Sequence, residues 1–123
     1  MNGSANRTIC IVDDDEAVRD SLRLLLESGG LATRSYVSAD AFLKAGEQDM
    51  ACLILDLHMP GTSGLELLRQ LRRRGLSQPV FVVSGRRDAR LDAEIHSAGA
   101  TDLLSKPFDD AILLNLVKDA VAA

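Results

Sequence analysis

Strand and helix signals alternate five times along this 123-residue chain, and that alternation restricts the fold more than any other feature of it. Thr8 to Val12, Ala32 to Tyr36, Ala51 to Leu55, Val80 to Val83 and Asp102 to Leu104 read as strands. Three are nearly all apolar, as strands buried on both faces should be. Segments with apolar residues at helical spacing lie between and after them. The first spans about Glu16 to Ser28, capped by Asp15, with Val18, Leu22, Leu25 and Leu26 as its stripe and Gly29 and Gly30 as its stop. Ser38 caps a short second helix containing Phe42 and Leu43. Ser63 and Glu66 form a capping-box pattern opening the third, whose Leu67, Leu68 and Leu71 are set to face a sheet before Gly75 ends it. Leu91, Ile95 and Ala98 give the fourth a thin apolar face, ended by Gly99, which makes it a candidate mobile element. The fifth uses Ile112, Leu113, Leu116, Val117 and Val121. Such units imply the α/β class: a parallel sheet with right-handed crossovers and helices on both faces.

Size and charge narrow the function classes. The chain is near the commonest domain size, so it reads as one domain over 1–123, with residues 1–7 a flexible N-terminal arm. A formal net charge of −4 argues against nucleic acid as a partner of this segment, because phosphate binding needs a basic face. No apolar run approaches the ~20 residues that span a bilayer, and MNGSANRT lacks the apolar middle of a signal peptide, so a cytoplasmic protein with no membrane partner is expected. Cys10 and Cys52 fall inside strands among aliphatic residues and read as buried, reduced core thiols, with no support for a zinc site.

The chemistry gathers where the strands end. Asp13 and Asp14 follow TICIV, Asp56 follows ACLIL, Ser84 follows VFVV, and Lys106 follows TDLLS. In an open α/β sheet, ligands bind outside the carboxyl ends of the strands. Three carboxylates, a hydroxyl and an ammonium would then converge on one site, a set that suits a divalent cation and a phosphoryl group. Taken singly, each has a plainer reading: the Asp13-Asp14-Asp15 run as a solvated capping turn, Asp56 and Ser84 as turn residues, Lys106 as a surface lysine. Arg72, Arg73 and Arg74 read as a solvated face complementing a helix C-terminus.

Together, IVDDDEAVRDSL, LILDLHMPGTSGLELL, VFVVSG and AGATDLLSKPF resemble the receiver domain of two-component response regulators, most of all the receivers of LuxR-type transcription regulators. The resemblance spans nearly the whole chain. It implies a flavodoxin-like sheet of five strands in the order 2-1-3-4-5, which sets Asp13 and Asp14 beside Asp56. It also implies a phosphorylation-dependent signalling switch, not an enzyme acting on other substrates, in which Asp56 is the phosphoacceptor. Mg²⁺ would be held by Asp14, Asp56 and the backbone carbonyl of His58, with Asp13 acting through a bound water; hard oxygen ligands suit that ion. Lys106 and Ser84 would bind the phosphoryl group, Ser84 and Leu103 would form the switch, and His58 and Arg86 would tune hydrolysis. The Lys106-Pro107 bond would be cis. Implied partners are a sensor histidine kinase, an output domain or downstream protein, and a second copy on phosphorylation.

One residue departs from the family pattern. Leu103 stands where members usually carry the Tyr or Phe that swings inward as the serine moves; leucine offers neither ring nor hydroxyl. Three competing readings are weaker. A degenerate receiver that only binds partners would not need every phosphorylation residue type. An aspartate-nucleophile phosphatase would carry a second Asp where this chain has His58. A flavin or nucleotide binder would not place acidic residues on the first loop.

Overall fold

The computed structural model describes residues 8–47 and 49–122. Residues 1–7, expected to be a flexible arm, lie outside the described residues. The chain runs β1 (Thr8–Val12), α1 (Glu16–Ser28), β2 (Ala32–Tyr36), α2 (Ala39–Ala45), β3 (Cys52–Asp56), α3 (Gly64–Arg73), β4 (Val80–Ser84), α4 (Ala89–Ser97), β5 (Asp102–Ser105) and α5 (Asp110–Ala122). All strand pairs are parallel, in the order β2-β1-β3-β4-β5. Both the alternation and the strand order agree with the sequence expectation.

Side-chain alternation along the three central strands builds two cores from one sheet. Ile9, Ile11, Cys52, Ile54, Phe81 and Val83 face one way, onto Leu22 and Leu26 of α1 and Leu113 and Val117 of α5. Cys10, Val12, Leu53, Leu55, Val80 and Val82 face the other, onto Phe42 of α2, Leu67, Leu68 and Leu71 of α3 and Ile95 of α4. The two cysteines are therefore buried on opposite faces and free. Burial pushes both thiols up to about 12, so they stay protonated and inert at neutral pH.

Several expectations need correcting. β3 begins at Cys52, not Ala51, and runs through Asp56; β4 and β5 likewise extend through Ser84 and Ser105. The ladders continue past the apolar runs because Leu57 N donates to Val83 O at 3.0 Å and Lys106 N to Ser84 O at 2.8 Å. Ile112 is 57% exposed and does not belong to the α5 core stripe. Only half of the expected capping box forms: Ser63 Oγ accepts from Glu66 N, but the Glu66 carboxylate accepts from Gln70 and Arg73 further along α3. Arg72 is no freely solvated cation either, since its guanidinium donates to Gly99 O at 2.8 Å and Leu76 O at 2.8 Å. No helix among the described residues is long and apolar enough to cross a membrane.

Candidate functional site

The sheet order carries four strand ends to one edge, and each delivers a residue expected there. Asp13 follows β1 directly and is held at both ends of its residue: its N–H donates to Tyr36 O at 3.2 Å, and its carbonyl accepts from Arg19 at 2.6 Å. Asp56 is the last residue of β3 and Asp14 lies beyond β1 in the turn into α1. One carboxylate oxygen from each of Asp13, Asp14 and Asp56 falls within 4.8 Å of the others. Asp13 and Asp56 are buried, at 3% and 6% exposure, whereas Asp14 faces solvent.

Lys106 supplies the counter-charge. Its Nζ donates to Asp13 Oδ2 at 3.0 Å and to Asp56 Oδ1 at 3.3 Å, bridging the ends of β1 and β3 from the end of β5. The Lys106-Pro107 peptide is cis, as the resemblance implies. One ammonium does not neutralise three carboxylates. Burial and the neighbouring Asp13 charge raise the Asp56 pKa, against the opposing pull of Lys106 and of the His58 backbone amide. Desolvation alone would lower the Lys106 pKa, but the hydrogen bonds and charges of Asp13 and Asp56 outweigh it and the net direction is upward. Lys106 is therefore fully charged at neutral pH. The donor set is all hard oxygen, partly buried and open on the Asp14 side, which fits a hydrated divalent cation.

Ser84, at the end of β4, is wholly buried. Its hydroxyl donates to Arg86 O at 2.5 Å and accepts from Arg86 N at 3.1 Å, so it is engaged by its own loop. Asp56, His58, Gly85, Arg86 and Lys106 line one open cleft of about 470 Å³, which puts both expected rate-tuning residues at its rim. Leu103 is 7% exposed, pairs in register with Val82, and belongs to the core on the α2–α4 face. His96 is exposed in the last turn of α4.

Three residues that shape the site carried no signal singled out in the sequence. Gly64 opens α3 against β3 so closely that an added Cβ would overlap the Asp56 carbonyl oxygen and stand 2.9 Å from Leu57 Cα. Its place in the PGTSG segment is the one trace of this in the sequence. Arg19 anchors Asp13 from one turn inside α1. Arg87 ties the loop after Ser84 to Asp92 and Ser105. For both arginines, sequence spacing carries no trace of the contact.

A family model for the response regulator receiver domain matches residues 9–118. The chain is 50% identical over 109 residues to the transcriptional regulatory protein FixJ of Azorhizobium caulinodans, covering 88% of this chain and 52% of that protein. It is 42% identical over 119 residues to the C4-dicarboxylate transport transcriptional regulatory protein DctR of Rhodobacter capsulatus, covering 94% of this chain and 60% of that protein. The chain thus spans little more than half the length of these curated relatives. Among solved structures, the crystal structure of FixJ-N superposes with a TM-score of 0.84 at 37% identity, covering 95% of this chain and 94% of that one.

Proposed function

The chain belongs to the response regulator receiver family, and we propose that Asp56 accepts a phosphoryl group from the phosphohistidine of a sensor kinase in a Mg²⁺-dependent reaction. The observation that carries this reading is the Lys106 bridge: a buried carboxylate at a strand end, beside two more carboxylates, already touched by the cation that would face a phosphoryl group. An Asp56 oxygen attacks phosphorus, the P–N bond to the kinase histidine breaks, and the nitrogen keeps the electron pair. Lys106 pairs with the phosphoryl oxygens, and Ser84 leaves Arg86 to donate its hydroxyl proton to one of them. Asp14, Asp56 and the backbone carbonyl of His58 would hold Mg²⁺, with Asp13 acting through water, and the bound ion would supply positive charge against the negative charge gathering on the phosphoryl oxygens.

His58 and Arg86, at the cleft rim, control the approach of the water that later hydrolyses the acyl phosphate. Ser84 and Leu103 form the moving part. The result is a cytoplasmic switch that transforms no substrate beyond its own phosphate. Its partners are the kinase, a second copy of the receiver on phosphorylation, and an output domain or downstream protein; the greater length of the regulators it resembles supports an output domain.

Incubation with acetyl phosphate and Mg²⁺ tests the reading. One acid-stable, base-labile phosphoryl group is expected on Asp56, absent from Asp56→Asn, with slower formation or lost signalling in Lys106→Ala. Phosphate recovered on Ser84 or His58 would overturn it.

A further inference from the structure

The loop that follows Ser84 is tied down by the side chain of Arg87. Arg87 lies between the Ser84-Gly85-Arg86 segment and Asp88, the N-cap of α4. Its guanidinium grips the Asp92 carboxylate on α4, with Nη2 at 2.9 Å from Oδ2 and Nε at 3.3 Å from Oδ1, and donates from Nη1 to Ser105 Oγ at 3.0 Å. Ser105 is the register partner of Ser84 and directly precedes Lys106. One residue therefore joins the Ser84 loop, the first turns of α4 and the end of β5. Both Ser84 hydroxyl bonds go to Arg86, next to Arg87 in the chain. Ser84 cannot turn its hydroxyl proton toward a phosphoryl group on Asp56 without giving up the Arg86 carbonyl, one residue before Arg87.

We propose that Arg87 is the positioning residue that couples Ser84 to the α4–β5 surface, holding the unphosphorylated state through Asp92 and Ser105 and releasing both when Ser84 engages the phosphoryl group. In this chain the clamp serves where Leu103, buried in the core, offers no ring to swing. The Asp92 carboxyl is held below its usual value, first by its hydrogen bond from Arg87, in keeping with a formed ion pair. Half-exposed ion pairs of this kind are individually weak, which suits a contact that must break during a switching event. The inference rests on Asp56 being the phosphoacceptor.

The probe is beryllofluoride with Mg²⁺, an analogue of the phosphoryl group, applied to the whole chain as wild type, Arg87→Ala and Asp92→Asn, with hydrogen exchange read by peptide. Removing a clamp that favours the unliganded state should tighten analogue binding by about two- to fivefold in both variants. A purely structural contact would leave affinity unchanged or weaken it. Exchange in residues 85–92 and 102–105 should rise in the wild type on analogue binding, and should already be raised in ligand-free Arg87→Ala while β1 to β3 are unaffected. Unchanged or weakened affinity in both variants, or ligand-free exchange in Arg87→Ala equal to wild type, overturns the clamp. Failure of the wild type to bind the analogue, or equal binding by Asp56→Asn, instead overturns the phosphoacceptor assignment, and the ligand-free exchange still decides the clamp.

Discussion

Asp13 and Asp56 share one ammonium, and the sharing leaves Asp56 short of compensation. Its pKa is raised by burial first and by Asp13 second. The native state therefore binds the Asp56 proton more tightly than the unfolded chain does. In linkage terms, the stability this group contributes is present below the ordinary carboxylate value of 3.8 and is lost as pH rises from there through the folded pKa. Without divalent cations, Asp56→Asn should thus be more stable than wild type at neutral pH, with the gap closing as pH falls through that window. Denaturant melts in a chelating buffer check this, and a gap that widens in acid would refute it. Gly64 is a residue-scale constraint of a different kind. Gly64→Ala sets a Cβ against backbone atoms of Asp56 and Leu57, which cannot rotate aside as a side chain would. A net loss of about 2 kcal/mol is expected, greater than the ~1 kcal/mol that alanine's helix propensity can return, together with slower phosphorylation as the Asp56 backbone shifts.

Among the elements, α3 shows how one helix serves both core and connection. Leu67, Leu68 and Leu71 fill the sheet-facing side, while Arg72 and Arg73, two of the three arginines expected to form a solvated face, behave differently from one another. Arg73 pairs with Glu66 on the surface at 3.1 Å. Arg72 reaches across to the carbonyl of Gly99, after α4, and to that of Leu76, after α3, so it fastens the turn into β5. Arg72→Ala should lower stability by about 1–2 kcal/mol, whereas Arg73→Ala should stay within ~0.5 kcal/mol of wild type. Urea midpoints at constant slope decide it; equal effects would return Arg72 to the solvated face. On β2, whose edge position leaves all but Thr33 and Tyr36 exposed, Arg34 joins Tyr36 in satisfying the buried Glu47.

For the molecule as a whole, the acidic edge is a strain that a bound cation should relieve. Mg²⁺ binding only the native state adds RT ln(1 + [L]/Kd), or ~1.4 kcal/mol at tenfold excess over Kd. Calorimetric melts should show this stabilisation in wild type, much less of it with monovalent salt at matched ionic strength, and its loss in Asp14→Ala. Asp14 is the apt site for the test because it is exposed and lacks the Lys106 contact that Asp13 and Asp56 share, so its removal leaves that bridge in place. Equal shifts in the two proteins would remove the cation from this site.

Local order was legible in the residues themselves. Continuous apolar runs such as TICIV and VFVV, and a periodicity of about 3.6 along α1, depend only on near neighbours; the bounds of β1, β2 and α1 were accordingly readable from sequence, and so was the placing of polar residues at the strand ends. The family resemblance extended that reading to strand order and to the pairing of β1 with β3. Contacts between distant residues were decided by the tertiary structure. Lys106 meets Asp13 across 93 positions and Asp56 across 50, and no spacing rule says which carboxylates a lysine will bridge. The burial of Glu47, the fit of Gly64 beneath Asp56, and the choice of Gly99 and Ser105 as partners for Arg72 and Arg87 all arise where separate elements pack. Each depends on the distance between two backbones, a quantity that periodicity within either segment does not contain.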